Sequence, residues 1–310
     1  MIEKLLHSRS QNYFCTLVTR KKYQNSFRKY SYKHFKKYCK KNDIGIFVAS
    51  NDLIPKKSVY WKNSSWQKLL APKILKKKYK KIKNICMIDS DVLINTESPN
   101  IFKFHKKNQI SVVSLRKFMP YEWENTTRRM AFLRNKFYSK KYPLDSALNI
   151  SLKNLYKFHK LEPQRHEFCA GIYVISASSF NKLYDFFFNY KRNVNSITGG
   201  GEQTHFNYFA QKNFKINILD YRFQAQWVFE MSNYYPFLYN KELSKNSNLI
   251  SGCIEASLSN NYFLHFAGSW HEGVMWKKNL KNILGNEFSK RFNIYRKMKL
   301  KGKPIGLVKP

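Results

Sequence analysis

Short, β-branched apolar runs alternate along the first half of the chain with longer Lys-rich amphipathic stretches, and this alternation constrains the fold more than any other feature. The runs are FCTLVT (Phe14 to Thr19), GIFVAS (Gly45 to Ser50), NICMIDSDVLI (Asn84 to Ile94) and ISVVSL (Ile110 to Leu115). Each is strand-length and bounded by charge, and none alternates apolar with polar, so each reads as a strand covered on both faces. Between the first two, SFRKYSYKHFKKYCKK places Phe27, Tyr30, Phe35 and Tyr38 at helical spacing, with Ser26 as the expected N-cap. A second helix is expected from Ser65 to Lys81, interrupted near Pro72. Strands alternating with helices predict an α/β fold: a mainly parallel central sheet with helices on its faces. Farther along, EFCAGIYVIS (Glu167 to Ser176) returns to the sheet, followed by helices over SFNKLYDFFFNY and GEQTHFNYFAQK.

With 310 residues, the chain can bury roughly three quarters of its unfolded surface. A hydrophobic fraction of 43% excludes disorder, and five cysteines without CxxC spacing are expected to be reduced, buried thiols. No apolar run reaches ~18 residues, so no membrane-spanning helix is expected. MIEKLLHSRSQNY carries no apolar stretch of the secretory type, and the expectation is a cytoplasmic protein, peripheral on the inner face of the membrane. The formal charge of +38 invites a polyanionic partner or reflects a solvated Lys-rich surface. Of the 57 basic residues, 45 are Lys and 12 are Arg. Base-edge and bidentate phosphate recognition lean on Arg, which disfavours nucleic acid.

The chemistry concentrates at Asp89 and Asp91, which flank Ser90 at the end of the most apolar strand. Two carboxylates about 6 Å apart repel by on the order of 3 kcal/mol at an effective dielectric of ~20. A hard divalent cation, Mn²⁺ or Mg²⁺, relieves that repulsion and prefers oxygen ligands. The alternative is a turn in which both side chains accept backbone N–H bonds. With only 19 acidic residues in the chain, the apolar flanks favour the metal site.

ICMIDSDVLI resembles the strand-plus-D-x-D element of nucleotide-sugar-dependent glycosyltransferases of the GT-A fold, most closely glycosyltransferase family 8 of the bacterial lipopolysaccharide galactosyl- and glucosyltransferase type. The resemblance runs over residues 12 to 275 as short motifs in order and implies a Rossmann-like sheet in one large domain, residues 1–276. It implies that Asp89 and Asp91 coordinate Mn²⁺, which grips the diphosphate of a sugar nucleotide. CAGIYVIS matches the family's Asn-Ala-Gly strand through Ala170 and Gly171, whose small size admits the sugar, with Cys169 replacing Asn. GEQTHFN matches through Glu202, Gln203 and Asn207, assigning Glu202 and Gln203 to the transferred sugar or the acceptor hydroxyl. A general-base role for Glu202 goes with inversion and an orienting role with retention, the outcome family 8 implies; a first-turn acid complementing the helix dipole is the plain alternative. The glycines before it would let a substrate approach the backbone. HFAGSWH implies His265 as third metal ligand and Gly268 at the diphosphate, with His271 where the family carries Lys. VTRKKY places Thr19 and Tyr23 in the donor pocket, Tyr23 to stack on the base, but Arg20 and Lys21 stand where the family's acids read uracil. UDP is the expected carrier, with GDP open.

The implied reaction is metal-dependent, retaining transfer of a hexose to a glycan or lipid-linked acceptor. A sugar-1-phosphate nucleotidyltransferase would need a Gly-rich phosphate loop near the N-terminus, and the first glycine is Gly45. A basic nucleic-acid binder is the other alternative. Tyr121, Trp123 and Tyr138 either stack on sugar faces or pack a helix, and packing is favoured. From Lys277 to Pro310, eleven basic residues face one acid, Glu287, and aromatics are spaced among them. Such a tail suits an anionic membrane surface and predicts salt-sensitive vesicle binding that falls on truncation after Trp276.

Overall fold

A computed structural model describes residues 2–137, 151–190, 201–240 and 242–267. Its strands are β1 (Ile2–Leu6), β2 (Asn12–Leu17), β3 (Gly45–Ala49), β4 (Asn84–Ile88), β5 (Val92–Ile94), β6 (Gln109–Ser114), β7 (Phe168–Ser176), β8 (Lys215–Leu219), β9 (Ala225–Gln226) and β10 (Phe263–His265). The α-helices that matter below are α1 (Lys21–Ser26), α2 (Tyr32–Lys41), α3 (Ser64–Gln67), α4 (Ala71–Lys78), α5 (Trp123–Phe137), α6 (Leu152–Phe158), α7 (Phe180–Asn189), α8 (Gln203–Asn213), α9 (Trp227–Tyr234) and α10 (Ser247–Asn260).

Among the described residues, seven strands form the main sheet in the order β1-β3-β2-β4-β7-β6-β8. β3, β2, β4, β6 and β8 point one way; β1 at one edge and β7 in the middle run against them. The α/β architecture expected from the sequence is therefore present, with two reversed strands. Both faces are covered, which is why the strand sequences read as continuous apolar runs. On one face Phe14, Ile46, Cys86, Ile88 and Ile172 meet Phe27, Phe35 and Tyr38. On the other, Cys15, Phe47, Met87 and Tyr173 meet Trp66, Leu70, Phe187 and Phe206. All five cysteines are free and buried. Among the described residues, no helix is long and apolar enough to cross a membrane.

Ser26 does not cap a helix. α1 already starts at Lys21, and Ser26 has helical dihedrals and no side-chain cap bond. It leads into a π-helical turn, Phe27–Ser31, which continues into α2. The wider turn reconciles the five-residue step from Tyr30 to Phe35 with burial of both. It also aims Ser31 Oγ at the Ser90 carbonyl, 2.8 Å away. The expected break near Pro72 is real: α3 and α4 are separate, and Pro72 sits in the first turn of α4, where its missing N–H costs nothing.

A second, three-stranded sheet, β5-β10-β9, stands beside the first. Behind it, Glu230 is 3% exposed and accepts from Ser257 Oγ at 3.1 Å and Asn261 Nδ2 at 3.2 Å. Burial dominates these bonds and pushes its carboxyl up to about 7. A raised native value means that stability is full below the unfolded carboxyl value and is lost as pH climbs toward 7. Glu230→Gln should therefore stabilise the protein by about 3 kcal/mol at pH 8 and by little near pH 4. Urea denaturation of the two proteins at both pH values tests this; equal differences at both would refute it.

Candidate functional site

The Asp-Ser-Asp turn joins the two sheets. Asp89 N–H donates to the Gly171 carbonyl at 2.8 Å, tying the turn to β7. The Asp91 carbonyl accepts Phe266 N–H at 2.9 Å, tying it to the strand end that carries His265. Strand pairing sets His265 opposite Val92 on β5 and Gln226 on β9. His265 Nε2 consequently lies 3.3 Å from Asp91 Oδ1 and 3.8 Å from Asp89 Oδ2. One ligand atom from each of Asp89, Asp91 and His265 can be chosen so that all lie within 4.8 Å of one another. Among the described residues, the two aspartate side chains meet Lys68 and His265, not the N–H groups of their own turn.

Gly171 makes this convergence sterically feasible. A Cβ built there would come 2.3 Å from His265 Cε1, 2.8 Å from Gln224 Nε2 and 3.0 Å from Asp89 Oδ2. Gly171→Ala should spread the trio and weaken Mn²⁺ binding at least about tenfold, at a folding cost of about 1–3 kcal/mol. Calorimetric titration with Mn²⁺ checks the first figure, and binding at wild-type strength would contradict it.

Lys68, on the segment leaving α3, is the residue that motif reading missed. Its buried ammonium donates to Glu202 Oε1 at 2.8 Å and Asp89 Oδ1 at 3.3 Å. Burial pulls it down, but Asp89 and Glu202 together outweigh burial and hold it above the ordinary lysine range. Burial likewise raises the Asp89 carboxyl, against the pull of Lys68. Burial would depress His265, yet Asp91 more than reverses this and lifts it well above the usual imidazole value. Among the described residues, three carboxylates thus share one lysine and one histidine, a cluster short of positive charge.

That donor set fits a hard or borderline divalent cation: two carboxylates and one imidazole nitrogen. The other face of the imidazole fits as well. His265 Nδ1 lies 3.2 Å from Gln224 Nε2 and 3.3 Å from Gln226 Nε2, with Cys169 Sγ at 3.8 Å. Among the described residues, Gln224 Oε1 is buried with no partner. Turning the Gln224 amide over sets that oxygen against Nδ1–H and leaves Nε2 as the ligand atom.

Asp89 and Asp91, but not His265, open onto a cavity of about 550 Å³. Thr19, Tyr23, Ser90, Asp89 and Asp91 line it, as do Arg20, Lys22 and Lys29, so cations face the acidic floor. Thr19 Oγ1 is 2.6 Å from Ser64 Oγ, and Tyr23 lies partly open at the rim. Ala170 and Gly171 follow Cys169 on β7. Glu202 is the N-cap residue of α8, but its side chain makes no cap bond; its carboxylate goes to Lys68. Gln203 donates to Glu167 Oε1 at 3.2 Å, and Glu167 is paired with Arg116. Asn207 turns inward, donating to the Phe168 carbonyl and accepting its N–H, and so fastens α8 to β7. Tyr121 and Trp123 pack against Phe229, as favoured for them. Tyr138, Gly199, Gly200, Gly268, His271 and the tail 277–310 lie outside the described residues.

No family model matches the sequence, and no curated protein matches it. Among solved structures, the chain is similar to a glycosyltransferase involved in glycosylation of the major capsid of PBCV-1, with 9% identity, TM-score 0.46, and 91% of this chain and 98% of the other covered. It is similar to the WbbM bifunctional glycosyltransferase, with 11% identity and TM-score 0.43 over 94% of this chain and 52% of that one. The galactosyltransferase LgtC, solved with donor and acceptor sugar analogues, has 9% identity and TM-score 0.40 over 91% and 95%. Likenesses this distant decide nothing about activity, which must be read from the site.

Proposed function

We propose that this protein is a metal-dependent glycosyltransferase that binds a nucleoside diphosphate sugar, with UDP as the expected carrier, and passes its hexose to a glycan or lipid-linked acceptor. One observation carries the reading: Asp89 and Asp91 converge with His265 and themselves line a cation-walled cavity of about 550 Å³. That volume falls within the usual range for small-molecule sites. Asp89, Asp91 and His265 would hold Mn²⁺ or Mg²⁺, which when bound stabilises the charge that develops on a departing diphosphate. Arg20, Lys22 and Lys29 add attraction for the phosphates, Tyr23 offers a ring to the base, and Thr19 and Ser90 offer hydroxyls. The resemblance assigns Ala170 and Gly171 to the transferred sugar and Gly268 and His271 to the diphosphate.

The 2.8 Å contact from Lys68 to Glu202 bears on mechanism. A carboxylate oxygen engaged by a buried ammonium is a well-fixed hydrogen-bonding group. This favours Glu202 as an orienting residue, with the acceptor proton passing to the leaving phosphate, in keeping with retention. Gln203, steadied by Glu167, would share that orienting task.

A thermal-shift panel of UDP-, GDP- and dTDP-sugars with and without Mn²⁺ tests the reading. One donor should stabilise the protein only when metal is present, by about 2.7 kcal/mol at a hundred times its Kd. A response to none of them, or to oligonucleotides alone, would overturn it.

A further inference from the structure

We infer that the loop between β3 and α3 is a docking tip for an anionic lipid surface. Its apex exposes three consecutive apolar side chains: Val59 at 93%, Tyr60 at 50% and Trp61 at 39%. Lys56 and Lys57 precede them, both exposed, and Lys62 follows.

The tip is held in shape. Two successive turns, closed by Ser58 N–H to Pro55 O and Trp61 N–H to Ser58 O, both at 2.9 Å, set the apex outward. Trp61 Nε1 donates to Asp52 Oδ2 at 3.1 Å, and Tyr60 meets Phe188 edge-on at 5.2 Å between ring centroids. Lys62 Nζ donates to the Phe187 carbonyl at 2.7 Å. At the base, Gln67 Oε1 accepts the N–H groups of Leu53 at 2.6 Å and Ile54 at 3.0 Å. The apolar apex is therefore presented by a built loop.

Three side chains are too few for a stable protein interface, which needs roughly 800 Å² per partner. Aromatic and aliphatic tips ringed by lysines match the boundary between headgroups and acyl chains, where the rings enter and the ammonium groups meet lipid phosphates. The local charge is complementary: Asp52, the acid that touches the apex, already accepts from Trp61. The loop runs directly into Asn63, Ser64 and Ser65, which line the large cavity, so docking would hold the mouth of that cavity close to the lipid surface. The inference stands whether or not the cavity takes a sugar nucleotide.

The test uses the full chain and vesicles of phosphatidylcholine with and without phosphatidylglycerol. Binding should need phosphatidylglycerol and weaken with salt. Val59→Asp/Tyr60→Ser and Lys56→Glu/Lys57→Glu should each lower the partition coefficient roughly tenfold or more with an unchanged melting temperature. Brominated acyl chains should quench a fluorescence component that disappears in Trp61→Phe. Residues 277–310 are present in every protein compared, so the differences report on the loop. Wild-type partitioning by both double variants, or quenching unaffected by Trp61→Phe, would overturn the inference. So would a wild-type dimer in sedimentation velocity that Val59→Asp/Tyr60→Ser dissolves, since the occupant would then be a second copy.

Discussion

Asp91→Asn is expected to lower Mn²⁺-dependent donor hydrolysis by at least about a hundredfold and to leave the metal-free fold intact. Loss of groups that merely orient metal ligands already costs 10–100-fold, and Asp91 offers a ligand atom itself. The fold should survive because the turn is held through the Asp91 carbonyl, which accepts Phe266 N–H and is untouched by the change. Asn also relieves the repulsion with Asp89, offsetting part of what His265 loses. Donor hydrolysis and calorimetric Mn²⁺ titration measure the effect beside melting temperature without metal. Full activity in Asp91→Asn would remove the metal assignment.

Lys68→Met should be the most destabilising single change at the site, by about 3–5 kcal/mol, because it strands a buried carboxylate. Glu202 and Lys68 have side chains only 5% and 8% exposed, so little solvent screens their pairing. Asp89 is 38% exposed and contributes less. Pairing Lys68→Met with Glu202→Gln should recover most of the loss, since a neutral pair of similar volume no longer buries an uncompensated charge. Urea denaturation of the two single variants and the double gives the coupling energy. A Lys68→Met protein within about 1 kcal/mol of wild type would contradict the assignment.

These two residues also mark what could be read from the sequence and what could not. Asp89 and Asp91 stood out because acids are scarce and both abut an apolar strand. The flanking strands were visible because burial on both faces leaves an unbroken apolar run. Lys68 was invisible: it is one of 45 lysines, and nothing local distinguishes it from those on the surface. Its role comes from Asp89, just past β4, and from Glu202, far away in the chain. β1, an edge strand bearing Glu3 and Lys4, hid for the opposite reason, since charge on an edge is how sheets avoid further pairing. β9 and β10 are two and three residues long, too short for any period; β10 pairs on the edge of β5, and β9 on that of β10. His265 was reachable through motif order alone. Ser26 misled because a π turn lets one helix run through a position that local chemistry marks as a start.

The turn that joins the two sheets also bears on biogenesis. Asp89 and Asp91 leave the ribosome early, while their imidazole companion belongs to β10, which is translated much later. A domain folds as a unit, and contacts to residues not yet synthesised cannot form. The nascent chain would therefore present an acidic pair with incomplete grip until translation passes His265, and ion capture would follow the docking of β10.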